Sequence, residues 1–330
     1  MALRWQTKEK AIEIIVSSVG LVSVIVLFLI GFFLFKEAFY IFYKAGVTKV
    51  IFGADWYPTY EPPGFGMLPL IAGTLAVTIL TAVMAIPLGL ATAIYVAEIA
   101  HHRIKEILKP LIEMLASFPS VVLGFFGMVV IAPILSNWLS PIISEQLPEF
   151  LRSTNLPFIS TTLADLAYDK FFIASGLNIS TAALMLTVRA IPVISSIAED
   201  ALTAVPRTYR EASYSLGASK WQTIWRVVIP ASVSGLSVAV ILGIGTIVGE
   251  TMIVLMVAGG AAVIPHWIFD PARPMPAAIA AEMAEAPYRS LHYHALFGVG
   301  AILFLITFLL SLVSDMVSRK YRAVRIGEKI

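Results

Sequence analysis

The segment VPRTYREASYSLGASKWQTIWRVVIP, residues 205–230, is the most polar stretch between the long apolar runs of this chain. It predicts two short helices joined by a tight turn, because Gly217 stands where a left-handed C-terminal cap is needed and Ser219 can cap the next helix. Pro230 predicts a break before a further helix. Apolar residues recur at helical spacing in the second helix: Trp221, Ile224, Trp225 and Val228. Such an amphipathic loop suits a membrane surface or a groove on another protein.

The rest of the chain is far more apolar than a soluble protein. Hydrophobic residues make up 58% of its 330 residues and charged residues only 13%, whereas soluble domains carry about 25% charged residues. This excludes most soluble enzymes, disordered chains and coiled coils. A net charge of +2 gives no basic field for nucleic acid, and the absence of cysteine excludes disulfides and thiolate metal sites. The composition predicts one membrane-embedded unit.

Six apolar runs are long enough to cross a bilayer, which takes roughly 20 helical residues. The predicted spans are residues 12–35, 68–97, 108–135, 173–200, 231–258 and 292–316. The first run lacks a small-residue cleavage site near its end, so we interpret it as a span and not as a signal peptide. The predicted fold class is an all-α, multi-pass membrane protein with six transmembrane helices.

The distribution of Lys and Arg predicts the orientation. Fourteen of them lie in residues 1–13, 99–113, 199–226 and 315–330, leaving Lys109 at the membrane boundary aside, whereas seven lie in the remaining loops. Cytoplasmic loops carry the excess of basic residues. We therefore expect both termini and the 205–230 loop to be cytoplasmic, and the loops 36–66 and 136–172 to be outside.

The 205–230 loop resembles the EAA motif of ABC-importer permeases. Glu211-Ala212-Ser213 is followed after three residues by Gly217, and after nine more by VVIP at 227–230. The resemblance implies that this loop is a coupling helix that docks in a groove on a separate ATPase. The residues implied in this contact are Glu211, Ala212, Gly217, Trp221 and Trp225. The chain has no Gly-rich loop that ends in Gly-Lys-Ser/Thr, so we expect ATP hydrolysis by a cytoplasmic ABC ATPase dimer and not by this chain.

Further motifs resemble the phosphate-importer branch of these permeases, the PstC/PstA type. They are LPLIAGT at 68–74, IPLG at 86–89, AIYVAE at 93–98, FPSVV at 118–122, GFFG at 124–127, GETM at 249–252 and AEMAEA at 281–286. The extra N-terminal span and long first outer loop are similar to the PstC partner.

The resemblance implies a type I, MetI-like core of about five helices plus an N-terminal span. The implied division is a tail, first helix and outer loop at 1–66, a permease domain at 67–317 and a basic tail at 318–330. The implied function is inorganic phosphate import by alternating access. The implied partners are a PstA-type second permease, the ATPase dimer and an extracytoplasmic phosphate-binding protein.

Two ionisable side chains, Arg189 and Glu250, lie well inside predicted spans. Such groups are costly in lipid and usually face a cavity or a partner. Relatives commonly place an arginine where this chain has Thr246, so Arg189 is a candidate replacement that contacts passing phosphate. Glu250 either accepts a hydrogen bond from protonated phosphate, locks an arginine in a closed state, or pairs with a partner subunit. Thr246, Thr251 and Ser120 could offer hydroxyl groups to the same path.

Several alternatives stay open on the sequence alone. The loop motif does not report the cargo, so another oxyanion or solute fits, and so does a scaffold that signals phosphate status. An intramembrane enzyme is disfavoured because no nucleophile–base set is visible. His292 and His294 stand near acidic residues, but two-residue spacing does not place ligands on one helix face, so no metal or other cofactor is expected. Gly245 and Gly249 predict a small-residue face for close helix packing.

Overall fold

The computed structural model of this chain describes residues 2–139, 141 and 176–326. Three predicted features fall wholly or partly outside these residues: the outer loop 136–172, the start of the predicted span 173–200, and the end of the basic tail 318–330. The described residues form helices and one two-stranded hairpin, which agrees with the predicted all-α class.

The elements follow in chain order. The N-terminal part holds α1 (Ala2–Ala45), α2 (Val47–Phe52) and an antiparallel hairpin of β1 (Trp56–Tyr57) and β2 (Gly64–Phe65). The middle part holds α3 (Leu68–Ile94), α4 (His102–Ala116), α5 (Ser120–Phe126), α6 (Ala132–Ile134) and α7 (Ile179–Thr203). The C-terminal part holds α8 (Arg207–Ser215), α9 (Lys220–Thr223), α10 (Ile229–Val248), α11 (Met252–Val257), α12 (Met275–Glu282) and α13 (Leu291–Ile326). Within the described residues, four π-helical turns extend or join them: Tyr95–Ile99, Gly127–Ile131, Leu135–Leu139 and Ile224–Val228.

Six helical segments of the described residues are long and apolar enough to cross a membrane, so the predicted number of spans is confirmed. They are Ile12–Ala45, Leu68–Ile99, Ser120–Trp138, Ile179–Thr203, Lys220–Val248 and Leu291–Val313.

The prediction for the third span, residues 108–135, is wrong at its start. The chain forms a separate helix, α4, that ends at Ala116, and the span begins only at Ser120. Pro119 explains the break, since it has no backbone N–H and disfavours a helical conformation at the residue before it. Helix α4 also carries Lys105 and Lys109, which suit the membrane boundary better than lipid.

The prediction for the fifth span, residues 231–258, is wrong at both ends. The helix already begins at Lys220 and runs through Pro230 to Val248. The π-helical turn Ile224–Val228 lies directly before this proline, and such a wider turn accommodates the missing backbone donor and the bulk of the ring. The chain then turns at residues 249–251 before α11 begins.

Helix α7 lies at the centre of the membrane domain and packs closely on α3 and α10. Ile194 of α7 occupies the space opposite two glycines, because a Cβ added at Gly89 would lie 2.8 Å from Ile194 Cγ2 and one added at Gly243 would lie 2.4 Å from Ile194 Cγ1. The prediction that Gly245 and Gly249 form the close-packing face is therefore wrong within the described chain: no atom lies within 4 Å of a Cβ added at Gly245. The glycine that α7 requires on α10 is Gly243.

The N-terminal part packs on α13 at one end of the molecule. Buried side chains of α1, α2 and the hairpin form a cluster with α12 and α13; it includes Ile41, Val50, Trp56, Met275 and Leu296. An ion pair between Glu37 and His294, with Oε2 and Nδ1 3.2 Å apart, joins α1 to α13. Most apolar side chains between Ile12 and Ile30 of α1 are exposed, as expected for a helix that faces lipid.

Candidate functional site

The two intramembrane charges form a direct ion pair. Arg189 Nε of α7 lies 3.0 Å from Glu250 Oε2, which follows α10. The Glu250 side chain is only 9% exposed and that of Arg189 is 27% exposed. The sequence analysis left three alternatives open for Glu250, and the observed contact agrees with the one in which Glu250 pairs with an arginine.

Two breaks between consecutive helices, one at Pro119 and one at residues 249–251, meet at this pair. Besides Glu250, Arg189 Nη1 donates to the backbone carbonyls of Phe118 at 3.3 Å and Ala116 at 3.5 Å. These carbonyls lie where α4 ends and Pro119 separates it from α5. A helix C-terminus presents unsatisfied carbonyls and partial negative charge, so a guanidinium is well suited to this place. Irregular backbone at membrane depth is tolerated where it is covered by protein or lines a cavity.

The hydroxyl groups predicted beside the path bind mainly to backbone. Thr246 Oγ1 donates to the carbonyl of Leu242 at 3.0 Å, and Thr251 Oγ1 donates to that of Gly249 at 3.4 Å. Ser120 is half-buried at the first residue of α5, next to the break at Pro119. The structure thus places these three residues near the two interruptions, with the threonine hydroxyls satisfied by their own helix segments.

The 205–230 loop has the predicted turn and cap. Gly217 has φ +80°, a left-handed conformation that L-residues avoid. Ser219 Oγ accepts from the backbone N–H of Gln222 at 3.3 Å, and Gln222 Oε1 accepts from that of Ser219 at 2.8 Å. This reciprocal capping box starts α9 as the sequence predicts.

The apolar residues of the second helix do not form one face. Ile224 and Val228 are buried inside the membrane domain, whereas Trp221 and Trp225 are 58% and 53% exposed. The two indole rings pack edge to face, with centroids 5.7 Å apart. The predicted single stripe is therefore wrong, because the helix continues into α10 and its inner side packs on the neighbouring spans. Glu211 and Ala212 are exposed on α8, so the loop presents acidic and aromatic side chains to the outside of the described chain.

Ion pairs that the sequence analysis missed fix the ends of the spans near this loop. Arg210 of α8 pairs with Glu98, and Lys105 and Lys109 of α4 both pair with Glu199 of α7, at 2.7 and 2.8 Å. The hydrogen bond to Glu199 raises the pKa of Lys109 above its usual value. The only sequence signal was a set of isolated charges at span ends, and their partners are up to 112 residues away.

At the opposite end of the molecule, Glu282 lies at the wall of an open cavity of about 980 Å³. It binds Arg273 Nη1 at 2.6 Å and His292 Nε2 at 2.9 Å. The hairpin and the segments around residues 260–262 and 281–292 line the cavity. Within the described residues, no group of three or more His, Asp or Glu side chains is arranged to hold a metal ion.

Comparison with known proteins places the chain in a family. Residues 85–323 match the family described as "Binding-protein-dependent transport system inner membrane component". The "Probable ABC transporter permease protein YqgH" of Bacillus subtilis is 33% identical over 96% of this chain and 92% of its own length. The "Phosphate transport system permease protein PstC" of Pasteurella multocida is 33% identical over 77% of this chain and 74% of its own length.

Among solved structures, an inward-facing form of the MetNI methionine ABC transporter matches with a TM-score of 0.53 and 20% identity, and covers 80% of this chain and 99% of that chain. At this identity the likeness concerns the fold, and it confirms the predicted MetI-like architecture. The predicted resemblance to phosphate-importer permeases is likewise confirmed by the relatives that carry this name. The chain is a multi-pass inner-membrane protein and belongs to the family of inner-membrane components of binding-protein-dependent transport systems.

Proposed function

We propose that this chain is the permease subunit of an ATP-driven importer of inorganic phosphate. The assignment of phosphate as the transported solute rests on the similarity to phosphate transport permeases, which extends over 77% of the chain. The complete complex would contain a related second permease, a cytoplasmic ABC ATPase dimer and an extracytoplasmic phosphate-binding protein. In this assignment both termini are cytoplasmic, residues 1–66 are an accessory segment, 67–317 form the permease and 318–330 are a basic tail.

The Arg189–Glu250 pair is the proposed gate of the phosphate path. In the state described here, Arg189 donates to Glu250 and to two backbone carbonyls, so these donors are not available to an anion. When the break between α4 and α5 and the turn between α10 and α11 move apart, the guanidinium would exchange these partners for phosphate oxygens. It binds such oxygens well because of its planar set of donors. Ser120, Thr246 and Thr251 lie beside this exchange and would offer hydroxyl groups.

Glu250 would limit how long phosphate stays. An ionised carboxylate only accepts hydrogen bonds, so it repels a fully deprotonated oxyanion but can accept a hydrogen bond from a protonated one. After phosphate has passed, Glu250 would bind Arg189 again, which restores an ion pair without net charge in a poorly solvated place. A path closed by such competition binds its cargo weakly and releases it readily.

The 205–230 loop is the proposed contact with the ATPase. Trp221 and Trp225 are large exposed aromatic side chains of the kind that anchor helices in protein grooves. Glu211 and Ala212 lie on the exposed side of α8, and Gly217 sets the angle between the two short helices. A nucleotide can shift the permease only if it binds one of the two states better, and this loop is where that difference would be passed on.

The test is transport by the complex that this chain forms in its own membrane. The chain is tagged, the complex is purified and reconstituted, and uptake of ³²P-phosphate is measured with the binding protein and with ATP on the side of the loop. We expect uptake that requires ATP and is inhibited by unlabelled phosphate but not by sulfate. Uptake blocked by sulfate, or an ATP-driven complex that does not move phosphate, would contradict the proposed cargo.

A further inference from the structure

A single side chain, Arg210, connects helix α8 of the 205–230 loop to two different spans. Its Nη2 lies 2.5 Å from Glu98 Oε1, and its Nε lies 3.4 Å from Glu98 Oε2, so the two groups meet in a forked arrangement. Its Nη2 also donates to the carbonyl of Leu202 at 2.9 Å and its Nη1 to that of Val205 at 2.5 Å. Glu98 belongs to the second span, whereas Leu202 lies in the last turn of α7, the fourth span.

These contacts are shielded from solvent, unlike the rest of α8. The side chains of Arg210 and Glu98 are 16% and 7% exposed, whereas Arg207, Tyr209 and Glu211 of the same helix are exposed. Opening a poorly solvated ion pair leaves a charge without a partner and is strongly unfavourable. The link between α8 and the spans is therefore stiff at this point, while the opposite side of α8 is free to be held by another protein.

The local structure at both ends of the pair suits this role. Glu98 lies in the π-helical turn Tyr95–Ile99 that ends the second span, and single π-turns are frequent at functional positions. The carbonyls that Arg210 binds lie at the C-terminal end of α7 and just beyond it, where the partial negative charge of a helix end suits a guanidinium. A lysine could not make these contacts together, because the ammonium lacks the planar fork of donors.

We propose that Arg210 and Glu98 are a positioning pair that makes the second and fourth spans follow any movement of α8. A second link, the hydrogen bond of 2.9 Å between Ser213 Oγ and Thr223 Oγ1, joins α8 to the fifth span. A displacement of α8 would therefore be shared by α3 and α7. Because Arg189 belongs to α7, which packs on α3, its position would change with them. This inference deepens the proposed function, since it rests on an ATPase that moves α8.

The first test measures coupling in the reconstituted complex, as solute imported per ATP hydrolysed. We expect Glu98→Gln and Arg210→Gln to retain the ATPase subunits and ATP hydrolysis, while import per ATP falls about tenfold, within the usual range for coupled sites. For Arg210→Lys, the import per ATP should lie between these values and that of the unchanged complex, since lysine keeps the charge but lacks the planar set of guanidinium donors. Arg103→Gln removes an exposed charge from α4, outside α8 and the 205–230 loop, and should leave the ratio unchanged.

The second test needs no transported solute, so its outcome is independent of the cargo. The chain contains no cysteine, so Ser215→Cys on α8 and Leu88→Cys on α3 are its only thiols, and this chain is spin-labelled there before it is assembled with its partners. In the otherwise unchanged complex, the distance between the labels should stay constant on ATP binding, because α3 follows α8. In Glu98→Gln it should change on ATP binding.

The two tests can overturn the proposal separately from the proposed function. Equal ATP-dependent distances in the complex with and without Glu98→Gln would show that the pair transmits nothing. Loss of the ATPase subunits from the Glu98→Gln complex would show that the pair only holds the docking surface in shape. A complex that moves a different solute would instead contradict phosphate as the cargo and leave the distance test valid.

Discussion

Trp56 Nε1 lies 3.2 Å from both carboxylate oxygens of Glu282, although the two residues are 226 positions apart in the chain. Trp56 begins the short hairpin between the first two spans, and Glu282 ends α12. The same carboxylate pairs with Arg273 and His292. One buried acid thus holds together the hairpin, the loop after α11 and the start of the last span.

Substitution of Glu282 should loosen this end of the molecule. We expect Glu282→Ala to lower the free energy of unfolding by about 3 kcal/mol, because it leaves Arg273 without its buried partner. Glu282→Gln should cost less, since the amide oxygen can still accept from Trp56. Thermal unfolding of the purified complex in nanodiscs measures both. Glu285→Gln, an exposed neighbour, is the control, and an equal effect of the Ala and control variants would contradict this role of Glu282.

Removal of the intramembrane guanidinium should stop transport. We expect Arg189→Ala to reduce phosphate uptake about 100-fold, equivalent to the loss of a charged hydrogen bond worth roughly 3 kcal/mol. Glu250→Gln should also reduce uptake, but with more phosphate retained per complex, because Arg189 is then no longer neutralised. Uptake and equilibrium retention of ³²P-phosphate separate the two effects. Recovery of the partner subunits with each variant is the control for assembly, and uptake by Arg189→Ala close to that of the unchanged complex would refute the proposed gate.

The turn and cap of the 205–230 loop should each contribute a measurable local stability. Gly217→Ala should cost about 1 kcal/mol, because a side chain disfavours the left-handed conformation, although nothing lies within 4 Å of the added Cβ. Ser219→Ala should cost about 1 kcal/mol through loss of the helix cap. Hydrogen exchange over residues 217–223 detects both as faster exchange.

The chain offers matched controls for these two variants. Ser215→Ala removes an exposed hydroxyl that donates to the carbonyl of Glu211 within the same helix, and Gly20→Ala adds a methyl group in a helix with open space around it. Both should leave the exchange of residues 217–223 unchanged. An effect of Ser215→Ala as large as that of Ser219→Ala would argue against the cap as the source of stability.

Packing around Ile194 should show compensation between two substitutions. Gly243→Ala should destabilise the fold by about 2 kcal/mol, since an added Cβ overlaps with Ile194. Ile194→Ala removes the clashing atoms, so the double variant should be more stable than the sum of the two single effects predicts. The measurement is the midpoint temperature of unfolding of the unchanged protein, of each single variant and of the double variant. Strictly additive effects would show that the two positions do not contact each other.

The sequence predicted the features that depend on composition and local order. The six spans, the turn at Gly217 and the cap at Ser219 follow from apolar length, glycine geometry and side-chain hydrogen bonding within a few residues. The family resemblance followed from motif order and placement. Each of these depends on neighbours in the chain, which a single sequence displays directly.

The features that it could not predict depend on contacts between distant segments or on competing local effects. The ion pairs Arg189–Glu250 and Arg210–Glu98 join residues 61 and 112 positions apart, and periodicity carries no information about such partners. Pro230 gave the wrong boundary because a π-turn compensated for it, and Pro119 separates α4 from a span that hydrophobicity alone had started too early. Gly243 was overlooked because the side chain opposite it, Ile194, belongs to another helix.

The continuity of the fifth span through Pro230 has a mechanical consequence. Residues Lys220–Val248 form one rod of 29 residues, about 43 Å long at ~1.5 Å per residue. Its N-terminal end carries Trp221 and Trp225, and Glu250 stands two residues beyond its C-terminal end. Such a rod acts as a lever: a tilt of about 5° about one end moves the other end by about 4 Å at this length. That displacement exceeds the 3.0 Å between Arg189 Nε and Glu250 Oε2, so a small tilt of this helix would suffice to part them.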